Sequence, residues 1–159
     1  MKYKVAIITV SDKGSKGERE DLSGKVIEEM LSWAEIVSYK IVPDEKEEIK
    51  QAIIEATSNA DLIFTNGGTG LHPRDVTPEA TREVIEKEVS GIAEAMRWEG
   101  YKKTKKAILS RAIAGIRGKT LIINLPGSPK AVKESLEVIL DALPHAIDKI
   151  KGDPSECGR

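Results

Sequence analysis

The sequence is poor in the residues that staple or metallate small proteins. It has one cysteine, Cys157, the third residue from its C-terminal end. One thiol makes neither an internal disulfide nor a multi-cysteine metal site, so a reducing compartment is expected and Cys157 reads as a bystander. The two histidines, His72 and His145, lie far apart with no third histidine or cysteine partner, which argues against zinc. Neither sign of charge dominates: 25 basic against 26 acidic residues give a net charge of −1. No general polyanion-binding field follows, and a nucleic-acid partner is not expected. The densest basic run, "YKKTKK" at residues 101–106, reads as a solvated helix end and loop. No segment approaches the roughly 20 apolar residues that span a bilayer. The opening "MKYKVAIITVSDKG" pairs a basic start with an apolar run too short for a signal sequence, so it reads as a first strand. A cytoplasmic protein without a membrane partner is expected.

What is present suits one globular domain over residues 1–159: 40% apolar and 32% charged residues, with no linker and no internal repeat. "KVAIITV" is short, β-branched and almost continuously apolar, as expected of a strand buried on both faces. After a polar loop, Leu22, Val26, Ile27, Met30 and Leu31 recur at helical spacing. "EIVSYKIV" is a second strand stopped by Pro43, residues 45–57 an amphipathic helix, and "DLIFT" a third strand. Strand, helix, strand, helix, strand at this spacing predicts a three-layer α/β/α sandwich with a mostly parallel sheet. "PEATREVIEKEV" is expected to be a helix capped by Thr77, with another over residues 91–102. The apolar runs flanking "RGK" predict an antiparallel hairpin, and "KAVKESLEVILDAL" a further helix. Trp33 and Trp98 fall in helical patterns as packing residues, or for Trp98 a subunit contact.

In such sheets ligands bind beyond the carboxyl ends of the strands, so the loops there carry the functional information. Gly67, Gly68, Thr69 and Gly70 end a strand just before a helix and can bring backbone N–H groups close to an anion. The spacing is neither that of a P-loop nor of a dinucleotide fingerprint. No nucleophile elbow is present, so a hydrolytic triad has no support. "NLPGSP" repeats the strand-to-helix pattern, with Ser128 and Pro129 at a second helix start. Two such loops suit a ligand with phosphate at both ends, and each loop alone is equally a tight turn or an N-cap. Asp44 and Asp75 stand beside them. Acids near phosphate call for a cation between, and Mg²⁺ is the usual one. Asp44 otherwise caps the following helix, and Asp75 otherwise pairs with Arg74 or bonds the nearby backbone.

The segments "VAIITVSDKGSKGEREDLSG", "TNGGTGLHPRDVTPEAT", "GIRGKTLIINLPGSPKA" and "ALPHAIDKI" resemble the molybdopterin adenylyltransferase family of molybdenum cofactor biosynthesis, the Mog and MoaB-type proteins. The resemblance covers nearly the whole chain. It implies a trimer that uses Mg²⁺ and ATP to adenylylate molybdopterin, releasing pyrophosphate, alongside other proteins of that pathway. It further implies that Asp44 and Asp75 position Mg²⁺ and the triphosphate. Thr9, Ser11, Asp12, Asp21, Ser23 and Gly24 match the family's first binding loop. Gly67 to Gly70 would hold phosphate or pterin, with Thr77 close by. Ser110 and Arg111 match a segment near the pocket, and Asn124, Pro126, Gly127 and Ser128 its opposite wall. Tungsten could replace molybdenum as the metal finally inserted. A MoaB-type carrier that binds molybdopterin without turnover is the alternative, and a nucleotide-binding regulatory domain a third reading.

Overall fold

A computed structural model describes residues 3–17 and 21–154; Cys157 lies outside them. β1 (Tyr3–Val10) is buried along most of its length. Successive side chains of a strand point to opposite faces. Val5 and Ile7 accordingly enter one apolar core, and Ala6, Ile8 and Val10 enter the other. β2 (Ala34–Val42), β3 (Leu62–Asn66) and β6 (Thr120–Leu125) are parallel to it, and β5 (Ala114–Arg117) and β4 (Lys87–Glu88) extend the sheet antiparallel. The order is β2-β1-β3-β6-β5-β4.

Helices cover both faces, and α1 (Asp12–Ser15) is a single turn in the loop after β1. α2 (Leu22–Met30), α5 (Ser90–Tyr101), α6 (Pro129–Ile139) and α7 (Leu143–Ile150) pack on the face that carries Phe64 and Ile123. α3 (Lys46–Ala56) and α4 (Thr77–Val84) pack on the face that carries Ile63 and Ile122. The expected three-layer sandwich is therefore the fold. Because the chain visits β2 and β3 on opposite sides of β1, with α2 and α3 on opposite faces, a topological switch lies where β1 and β3 end. There the loop after β3 turns at Gly67, whose φ is +97°.

Three local expectations give way to tertiary contacts. The helix beginning in "PEATREV" ends at Val84 because Ile85 is extended and Glu86 donates its N–H to the Ile116 carbonyl at 2.7 Å. Lys87 and Glu88 then join the sheet edge. Thr77 is the first residue of α4, not its cap; its hydroxyl donates to the Gly67 carbonyl at 2.9 Å, tying the helix to the glycine turn. "KAVKESLEVILDAL" is not one helix, since α6 passes into a tight turn at Leu140–Ala142 before α7. Among the described residues no helix is long and apolar enough to cross a membrane.

Candidate active site

Two recesses open where the parallel strands end. The larger, about 490 Å³, is a slot between two helices. Ala93, Met96, Arg97 and Gly100 present one face of α5, and Ala131, Glu134, Ser135 and Val138 present one face of α6. Residues three and four apart share a helix face, which is why these eight converge. Gly68, Thr69, Gly70 and Asp75 close one end, and Lys103, Lys106 and Ser110 come from the segment after α5. Pro126 and Gly127 line the same recess. The smaller, about 160 Å³, is lined by Thr9, Ser11, Gly14, Asp21, Leu22, Ser23 and Pro129.

Gly127 joins the two. It lines the larger recess, while its carbonyl accepts from the Ser23 hydroxyl at 2.6 Å on the side of the smaller. A Cβ on Gly127 would sit 3.4 Å from the Gly67 Cα, so the two glycine loops touch. Asp21 caps α2 by accepting the Gly24 N–H at 2.9 Å and also receives the hydroxyls of Thr9 and Tyr39. Gly24 leaves the space in which Tyr39 reaches that carboxylate.

Asp44 does not cap α3, whose N-cap position is Glu45. It exchanges hydrogen bonds with Asp12 instead: the Asp12 N–H donates to Asp44 Oδ2 at 3.0 Å, and the Asp44 N–H to Asp12 Oδ1 at 2.9 Å. Arg74 forks onto Asp12 at 3.1 and 3.0 Å and reaches Glu45 at 3.1 Å. The loops after β1, β2 and β3 are thereby locked together. Arg74 pairs with these two acids and not with Asp75, which instead accepts the His72 N–H at 3.2 Å. The other oxygen of Asp44 stands 3.2 Å from where a Gly68 Cβ would be, directly over the glycine loop.

The electrostatics separate the acids. The Arg74 guanidinium holds the Asp12 carboxyl below its usual range. Burial raises that of Asp44, and the negative charges of Asp12 and Asp75 add to the rise against the hydrogen bond from the Asp12 backbone. A carboxyl raised in the folded state is most compatible with folding when protonated. Stability linked to Asp44 is therefore intact below its unfolded value and declines as pH climbs through the folded one. In metal-free buffer, Asp44→Asn is expected to shift the urea midpoint upward at pH 7, with the gain vanishing as pH falls toward 3. An unchanged or lower midpoint at pH 7 would contradict the electrostatic picture.

Other expected site residues fall differently. Ser128 caps α6 by accepting the Ala131 N–H at 3.2 Å and lines neither recess. Arg111 braces the glycine loop, donating to the carbonyls of Gly70 and Asp75 at 2.8 and 2.7 Å and pairing with Glu79 at 2.5 Å. Asn124 was expected on the cavity wall, but it is fully buried. Its amide donates to Thr65 and Thr81 at 2.9 Å each and its oxygen accepts the Ile113 N–H, so it fastens β6 to β3, α4 and the start of β5. A strand-end asparagine reads as a loop residue when its inward partners are not visible. His72 is exposed, and among the described residues no group of three His, Cys, Asp or Glu side chains could hold a metal alone. Arg97, Glu99, Lys103, Lys106, Glu134 and Ser135 line the slot without having been expected there. The i, i+3, i+4, i+7 pattern of each helix held the signal, but which face meets which is a tertiary fact.

The fold and site define an α/β protein that gathers two glycine loops, two acids beside one of them and a slot between helices at one sheet edge. The family model described as "Probable molybdopterin binding domain" matches residues 6–145. Molybdopterin adenylyltransferase of Helicobacter pylori is 45% identical over 155 residues, covering 94% of this chain and 88% of that protein. The crystal structure of the molybdopterin biosynthesis enzyme MoaB from Thermus thermophilus superposes with a TM-score of 0.90 at 52% identity, over 97% of this chain and 99% of that one. The tungsten cofactor synthesizing protein MoaB of Pyrococcus furiosus gives 0.87 at 44% identity, over 94% and 98%. The chain belongs to the molybdopterin adenylyltransferase family.

Proposed function

We propose that the protein adenylylates molybdopterin, with ATP as the nucleotide substrate. The observation that carries this reading is the placement of Asp44 and Asp75 against Gly68 and Gly70, at the end of the slot that the glycine loop closes. The slot takes the pterin, the smaller recess the adenosine, and the phosphates of both meet over residues 67–70. A terminal phosphate oxygen of molybdopterin attacks the α-phosphorus of ATP. A new P–O–P bond forms as the α–β bond breaks, and pyrophosphate leaves. The chain's contribution is positioning: backbone N–H groups at the glycine turn and the N-termini of α4 and α6 favour the phosphate charge.

Two carboxylates are too few to hold a metal ion by themselves, but they fit Mg²⁺, which binds through one or two carboxylates with the remaining positions left to waters and substrate phosphates. Asp44 and Asp75 are the residues that would hold it. Bound there, Mg²⁺ would neutralise charge between the carboxylates and the phosphates. A carrier has no use for two facing acids over a phosphate loop, and relatives named adenylyltransferase favour the enzyme. Because adenylylation precedes metal insertion, the same reaction serves molybdenum or tungsten. The exposed Leu71, Trp98 and Ile108 support assembly with further copies of the chain, for which we propose the trimer.

The test is anaerobic incubation of the purified protein with molybdopterin, ATP and Mg²⁺, following adenylyl-molybdopterin and pyrophosphate by chromatography. Both products in equal amounts are expected. Tight molybdopterin binding without either product would convert the reading to the carrier.

A further inference from the structure

Three carboxylates line the slot: Asp75, Glu99 and Glu134. Asp75 accepts a backbone N–H from His72, and Glu99 pairs with Lys102 at 2.7 Å. Glu134 is half-buried and, among the described residues, makes no hydrogen bond or ion pair. It projects from the same face of α6 as Ala131 and Val138, opposite Ala93 and Met96 of α5. A half-buried acid without a partner is costly unless something else supplies donors, and two of the cations that line the slot are engaged elsewhere: Arg97 donates to the carbonyls of Ser110 and Ala112, and Lys103 reaches Glu137. The slot's volume is in the range that takes a small ligand. The flat edge of a pterin carries two adjacent donors, the ring N3–H and the 2-amino group, spaced to meet both oxygens of one carboxylate as a guanidinium does.

We infer that Glu134 is the pterin-selecting residue of this enzyme, its carboxylate receiving the N3–H and 2-amino donors of the ring while the apolar walls sandwich its faces. The inference rests on the adenylyltransferase reading and adds to it the basis of ring specificity. Glu134 stands on α6, whereas Asp44 and Asp75 stand over the glycine loop, so its role is selection and not phosphoryl chemistry.

The discriminating ligands are 6-hydroxymethylpterin monophosphate and its lumazine counterpart, in which a carbonyl replaces the 2-amino group. Both are fluorescent and can be titrated into the intact protein. The wild type is expected to prefer the pterin by at least about tenfold, because a site built for two donors leaves an oxygen facing an oxygen when one is lost. Glu134→Gln offers one acceptor and one donor, which matches the lumazine edge. It is expected to bind the pterin about tenfold to a hundredfold more weakly and to level or invert the preference. In turnover, its KM for molybdopterin should rise by the same factor while the KM for ATP and kcat stay within about threefold. Glu137→Gln, one turn away and outside the slot, is expected to leave both preference and KM unchanged.

Equal binding of the two analogues by the wild type overturns the inference, whether or not Glu134→Gln folds. So does a Glu134→Gln protein that keeps the wild-type preference. If the wild type makes adenylyl-molybdopterin and either of these holds, only the role of Glu134 falls. If it makes none, the adenylyltransferase reading falls and this one with it.

Discussion

Asp44→Asn and Asp75→Asn are each expected to lower kcat for adenylyl transfer by about a hundredfold or more, with molybdopterin affinity within about threefold of wild type. The amide is nearly isosteric with the carboxylate, and its oxygen still accepts the backbone N–H that each acid receives, from Asp12 in one case and His72 in the other. What disappears is negative charge beside the phosphates. Asp44 lines neither recess and Asp75 lines only the closed end of the slot, so neither change removes contact area for the pterin. Steady-state kinetics with saturating Mg²⁺ and ATP separates the outcomes. Residues that act as one unit lose their effects together, so the double variant should be little slower than the worse single one. A loss of molybdopterin binding in Asp75→Asn that exceeds the loss of turnover would instead make Asp75 a binding residue. With the stability gain expected for Asp44→Asn, the pair would exhibit a site whose charge serves activity at some cost to folding.

Gly67→Ala is expected to destabilise the fold by about 3 kcal/mol or more, read as a lower urea midpoint at unchanged slope. Its φ of +97° disfavours any side chain, and the added Cβ would overlap the carbonyl oxygen of Val10 at the end of β1. That oxygen belongs to a strand held between β2 and β3 and has nowhere to go. Gly70→Ala makes a useful contrast. Gly70 has no positive φ, and its new Cβ would meet only the end of the Asp75 side chain, at 2.9 Å. Gly70→Ala should therefore keep a midpoint near that of wild type while losing turnover, because Asp75 must swing away. If Gly70→Ala lost as much stability as Gly67→Ala, the division between a turn glycine and a site glycine would be wrong.

The two glycines bear on how much of the site was legible before the fold was known. The density of glycine between Asn66 and Leu71 marked the loop, and strand patterning placed it at a carboxyl edge. Pro43-Asp44 and Arg74-Asp75 marked the acids. Yet local pattern could not decide whether Asp44 caps a helix or faces a ligand, since a carboxylate after a strand and before a helix suits both. What excludes the cap is the pairing with the Asp12 N–H, 32 residues away in the chain. Asn124 failed for the same reason: its partners Thr65 and Thr81 lie 59 and 43 residues away.

The order of the parallel strands with the helices between them, the parallel sheet and the hairpin were determined by the sequence alone, because hydrophobic period and turn residues act over a few positions. The slot, its unpaired Glu134 and the Arg74 fork onto Asp12, 62 residues away, were decided only by tertiary structure. The same is true of the edge strand that stops α4. Each requires two segments to meet across the sheet, and the free energy that selects such a meeting comes from burying both against a shared core. No window of the sequence contains both partners.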